Sequence, residues 1–137
     1  MAEFKAKLDK SWLSKIADFI EETAKSLGCD NKFIIYDLKL AVDEAATNIM
    51  THGKESQKQN YFTIKLLKNN NQFEVEIIDT GTPFPFNTLS AKGFGVKFIK
   101  AVTDGSSYET LNHKNILRLT KHLNPKEDTP WKSKSEK

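Results

Sequence analysis

Apolar and charged residues alternate at the start of the chain, with Phe4, Ala6 and Leu8 set against Glu3, Lys5 and Lys7. A two-residue period sends the two sets to opposite sides of an extended backbone, so a strand with one buried face is predicted here. The period then lengthens. Trp12, Ile16, Phe19, Ile20 and Leu27 recur at three- and four-residue spacing, which predicts an amphipathic helix. Asp9 or Ser11 can cap its start, and Gly28 supplies its stop. A second helix begins at Asp30 or Asn31, both good caps, and carries the stripe Ile34, Ile35, Leu38, Val42, Ala45 and Ile49 as far as His52-Gly53.

Beyond a polar stretch at 54–60, residues 61–67 read as a strand. Asn69-Asn70-Asn71 is a turn signal, so the strand over 73–79 pairs back as a hairpin, with Phe73, Val75 and Ile77 on one face and Glu74 and Glu76 on the other. A loop follows over 80–92, containing Gly81, Pro83 and Pro85; Gly93-Phe94-Gly95 opens a short helix to about Val102. Strands over 107–111 and 116–122 flank Asn112-His113-Lys114. Residues 1–123 form one domain. Residues 124–137 are polar and lysine-rich, with Pro125, Pro130 and a lone Trp131, and are expected to be a flexible tail. This order predicts an α+β two-layer sandwich: a mostly antiparallel mixed sheet covered on one face by helices.

Composition narrows the function classes. A chain of 137 residues with 38% hydrophobic and 28% charged residues can bury a core without disulfide or metal help. A formal charge of +3 is too mild to argue for direct nucleic-acid binding. Cys29 is the one cysteine, so no internal disulfide forms, which suits a reducing compartment. No apolar run approaches the ~20 residues a membrane helix needs, and the first residues lack a signal-peptide core. A cytoplasmic protein without a membrane partner is the expectation.

Three segments break the surrounding patterns. In Ala41-Val42-Asp43-Glu44-Ala45-Ala46-Thr47-Asn48, the four-residue spacing of Glu44 and Asn48 stacks both on one helical face. A carboxamide oxygen suits Mg²⁺, and the carboxylate can accept a proton; an ordinary polar face has the same composition. In Asp79-Thr80-Gly81, an acidic residue ends an apolar strand. That is common at strand ends, but such a carboxylate can also accept a hydrogen bond from an exocyclic amine while the glycine admits a close backbone approach. In Lys92-Gly93-Phe94-Gly95, two glycines before a helix can present N–H groups to an anion. The segment lacks the lysine–hydroxyl pair of a Walker A loop and the third glycine of a dinucleotide fingerprint.

Taken together in this order, Glu-x-x-x-Asn on a helix ending His-Gly, Asp-x-Gly after a strand and Gly-x-Gly before a helix resemble the GHKL ATPase signature. The chain is similar in particular to the bacterial anti-sigma factor serine/threonine kinases of general-stress and sporulation control, through residues 40–48, His52-Gly53 and Leu117-Arg118-Leu119-Thr120-Lys121-His122-Leu123. The likeness covers roughly residues 3–123. It implies a homodimeric kinase that uses ATP and Mg²⁺, phosphorylates an anti-anti-sigma protein and sequesters a sigma factor. Glu44 would then be the general base and Asn48 the Mg²⁺ ligand. Asp79 would hold the adenine amino group with Gly81 beside the base, and Gly93 and Gly95 would cradle the phosphates. Two departures stand out. The family's lid is longer and often carries a basic residue at the γ-phosphate; here only residues 82–92 intervene, without arginine, and Lys92 can serve as a point charge. Where the family places Gly-Thr before the last strand, this chain has Lys114-Asn115, and Asn115 can still hydrogen-bond. A non-catalytic, nucleotide-gated binding module is therefore the alternative. A histidine-kinase fragment is disfavoured, since none of His52, His113 and His122 lies on a phosphoacceptor helix pair.

Overall fold

The computed structural model describes residues 1–86 and 95–123. Strand β1 (Ala2–Lys7) leads through a 3-10 turn (Lys10–Trp12) into helix α1 (Leu13–Ser26). Asp9 Oδ1 accepts from the Ser11 N–H at 2.8 Å and so caps the turn. Helix α1 ends where Gly28 takes φ +98° and the Cys29 N–H returns to the Ala24 carbonyl at 3.0 Å, a left-handed stop that a side chain would strain. Helix α2 (Lys32–His52) starts on Asn31, whose Oδ1 accepts from the N–H groups of Phe33 at 2.9 Å and Ile34 at 3.2 Å. Of the two cap candidates, Asn31 is the one used.

Strands β2 (Tyr61–Asn69) and β3 (Gln72–Asp79) form the expected hairpin, with Asn70 left-handed at φ 56°. Helix α3 (Val96–Val102) precedes β4 (Gly105–Leu111) and β5 (Lys114–His122). Asn112 and His113, at φ 53° and 64°, make the two-residue turn between them, the geometry whose twist matches paired strands. Lys114 belongs to β5 rather than to the turn.

The sheet runs β1-β2-β3-β5-β4, and every pairing in it is antiparallel. Alternation sorts its faces. Phe62, Ile64, Leu66, Phe73, Val75, Ile77, Leu117 and Leu119 are buried beneath the helices. On the other face Arg118 Nε bonds Glu76 Oε2 at 3.0 Å, and Arg118 also pairs with Glu109, tying three strands together. Helix α2 contacts both α1 and α3, which explains why its apolar stripe is wider than one face requires: Ala41, Ala46 and Met50 are buried as well. Lys121 Nζ donates to Asp37 Oδ2 at 2.8 Å and to the Val102 carbonyl at 2.9 Å, joining the end of α3 to the first half of α2. The start of α3 lies against Glu44, so α3 runs antiparallel to α2.

Cys29 is buried and free. No helix among the described residues is long and apolar enough to cross a membrane. The expected tail at 124–137, and Lys92 and Gly93 of the glycine motif, lie outside the described residues.

Candidate functional site

The end of α2, the end of β3 and the loop after it enclose a cavity of about 120 Å³. Asn48, Ile49, His52 and Gly53 line it from the helix end, Gln57 from the segment after it, Asp79 from the end of β3, and residues 82–85 from the loop. Asn48 and Asp79, singled out separately in the sequence, thus meet in one space. Both are buried, with 6% of their surface exposed. Two polar groups at that depth cost stability unless bonded or used.

Asp79 is held by one oxygen. Its Oδ1 accepts from Gln57 Nε2 at 3.1 Å, the Gly81 N–H at 2.9 Å and Asn115 Nδ2 at 3.0 Å. Asn115 is itself fixed. Its Nδ2 also donates to the Gly81 carbonyl at 2.8 Å, and its Oδ1 accepts from Thr110 Oγ1 at 2.8 Å. These bonds orient the amide and commit both its donors to Asp79 and the adjoining loop. The register explains the meeting, because Asp79 and Asn115 face each other across β3 and β5, and Thr110 and Asn115 across β4 and β5.

Gly81 answers to the protein's own loop. A Cβ there would lie 2.9 Å from Ser56 Oγ and 3.0 Å from the Gly53 carbonyl, and would also collide with the Gln57 amide. The segment after α2 closes over it: the Thr82 N–H donates to Ser56 Oγ at 2.8 Å, and the Lys58 N–H to Thr80 Oγ1 at 2.9 Å.

Glu44 lies one helical turn before Asn48, partly exposed, with Gly95 at the start of α3 against its carboxylate. Among the described residues no cluster of three or more His, Cys, Asp or Glu is placed to hold a metal. The carboxamide oxygen of Asn48, with the Glu44 carboxylate one turn away, suits a Mg²⁺ ion that takes its remaining ligands from phosphate and water.

An aromatic group backs the loop. Phe84 and Tyr108 rings lie 4.7 Å apart, and Phe86 and Tyr108 stack at 5.8 Å. The Phe84 N–H donates to the Tyr108 hydroxyl at 3.3 Å. Burial pushes the Tyr108 phenol up to about 12; the Phe84 N–H opposes the shift and the charge of Asp79 adds to it.

Gln57, Ser56, Thr110 and Tyr108 were not singled out in the sequence. Gln57 lies in a polar stretch without periodicity, and its partners Asp79 and Thr80 are 22 and 23 residues away. No local pattern encodes that meeting. Tyr108 and Thr110 carried only strand alternation.

Comparison with known proteins places the chain in a family. The family model for the histidine kinase-like ATPase domain matches residues 6–121. The serine-protein kinase RsbW of Bacillus subtilis is 28% identical over 107 residues, 66% of each chain. RsbW of Listeria monocytogenes is 37% identical over 54 residues, 39% of this chain and 34% of that protein. The matches therefore span between a third and two thirds of these relatives. Among solved structures, the RsbU and RsbW domains of Rv1364c from Mycobacterium tuberculosis superpose with a TM-score of 0.70 at 13% identity, over 90% of this chain and 33% of that one. This last likeness is one of fold.

Proposed function

The chain belongs to the histidine kinase-like ATPase domain family, and from that premise we propose that it is an ATP-dependent protein serine/threonine kinase of the anti-sigma type. The observation that carries the proposal is the meeting of Asn48 and Asp79 in one cavity, with Glu44 a turn away against Gly95. In this scheme Asp79 Oδ2 accepts from the adenine amino group, because Oδ1 is taken by three protein donors. Gly81 lies beside the base, and Asn115 acts behind Asp79 through its amide. Lys92, Gly93 and Gly95 would attend the phosphates.

Asn48 would hold Mg²⁺ through its carboxamide oxygen, and the chemistry such an ion would supply there is neutralisation of phosphate charge. Glu44 takes the proton of a substrate serine or threonine as that oxygen bonds to the γ-phosphorus and the bond to the β–γ bridging oxygen breaks, leaving ADP. The substrate is an anti-anti-sigma protein. The second partner is a sigma factor, bound by a homodimer of this chain in the cytoplasm. The partners rest on the sequence resemblance, and the kinase reaction rests also on the relatives' designation as serine-protein kinases.

Calorimetric titration of Mg-ATP into the wild type and Asn48→Ala tests the pocket. Binding that requires Mg²⁺ and is lost in the variant supports it; a wild type that binds no ATP refutes it. Transfer of the γ-phosphate to a candidate anti-anti-sigma protein then separates a kinase from a nucleotide-gated binding module. Phosphoserine or phosphothreonine on the partner is the expected product.

A further inference from the structure

We infer that Gln57 is a positioning residue of the nucleotide site, holding Asp79 so that one carboxylate oxygen alone faces the base; this rests on Asp79 being the base-reading group proposed above. Gln57 uses both ends of its amide. Its Nε2 donates to Asp79 Oδ1 at 3.1 Å and to the Gly53 carbonyl at 3.0 Å, while its Oε1 accepts from the Thr80 N–H at 2.9 Å and Thr80 Oγ1 at 3.3 Å. The amide therefore joins three segments: the end of α2, the end of β3 and the first residue of the loop.

Its orientation is settled by chemistry. Oε1 faces a backbone N–H, which only an acceptor can meet, so the NH₂ must face Asp79. Gln57 also lines the cavity, so this bond is made at its wall. Asn115 approaches the same Asp79 oxygen from β5, and together the two amides pin the carboxylate from two elements. With Oδ1 occupied, Oδ2 is the oxygen left to meet a ligand donor. A carboxylate free to rotate would divide itself between orientations and read an amine less well.

The test compares ATP with purine riboside triphosphate, which lacks only the 6-amino group, both with Mg²⁺ and by calorimetry. The wild type is expected to bind ATP about tenfold more tightly, the scale of one charge-assisted hydrogen bond. Gln57→Met fills the volume, adds no charge and cannot donate to Asp79. It is expected to lower that ratio about threefold or more, with the loss falling on ATP more than on the amino-free nucleotide. Gln57→Leu, which also lacks a donor, is expected to do the same should the methionine variant fail to fold. A variant in which both affinities fall together marks a purely structural residue and overturns the inference, as does an unchanged ratio. Asp79→Ala separates the two levels of argument. A wild type without preference, or an Asp79→Ala variant that retains it, overturns the base pocket itself and the role of Gln57 with it.

Discussion

Gly95 lies directly against the carboxylate of Glu44: a Cβ at position 95 would stand 3.0 Å from the glutamate Cδ and closer still to Oε2. Gly95 also has φ +67°, a conformation that side chains resist. The backbone conformation favours glycine, and an added side chain would have to displace the Glu44 carboxylate. Gly95→Ala should cost about 1–2 kcal/mol from backbone strain and should push the Glu44 side chain aside. The expected kinetic result is a fall in kcat for phosphoryl transfer that exceeds the change in ATP affinity, because the displaced group is the proposed proton acceptor. A loss of affinity with unchanged kcat would place Glu44 outside the transfer step.

Asn115 is 1% exposed and bonded to Asp79, Gly81 and Thr110. Asn115→Ala leaves the Gly81 carbonyl and the Thr110 hydroxyl short of a partner. A loss of about 1–3 kcal/mol in urea unfolding is expected, together with weaker ATP binding. Stability retained with binding lost would show that the amide serves the ligand alone.

Tyr108 gives an alkaline signature. Its phenol is raised from 10.0 to about 12, so the neutral form is favoured in the folded protein. The sign follows from linkage: this contribution is fully present below pH 10 and is lost as pH rises towards 12. Tyr108→Phe should therefore make unfolding free energy less steep over that range, as the difference between the two proteins in urea titrations at successive pH values. Parallel curves would contradict it.

The cap of α2 offers a check remote from the cavity. Asn31→Ala removes the acceptor for two N–H groups and should destabilise by about 1 kcal/mol, leaving the ATP-binding constant of the remaining folded protein unchanged. A large change in binding would reveal coupling along the whole of α2.

Much of the fold was legible because local patterns agreed with it. Alternation at Phe4 and Ala6, the stripe from Ile34 to Ile49, and the Asn-rich turns each report short-range geometry, and each element lies within a few residues of its expected place. The exchange of order at the far edge, where β5 stands between β3 and β4, is a choice of partner among strands of similar pattern, and periodicity is blind to it. The same division holds in the cavity. Glu44 and Asn48 could be paired from their spacing on one helix, whereas the amides of Gln57 and Asn115 reach Asp79 across 22 and 36 residues of sequence.

The place of β5 has a consequence for timing. The last strand described in the chain is interior to the sheet, and its register with β3 is what sets Asn115 opposite Asp79. A ribosome must therefore release nearly the whole domain before the sheet can close, and until then β3 offers an open edge to other chains. In the proposed scheme, nucleotide binding would await that final pairing rather than grow by degrees during synthesis. A nascent chain halted after β4 would already carry Glu44, Asn48 and Asp79, yet it would lack the strand that holds the aspartate in place.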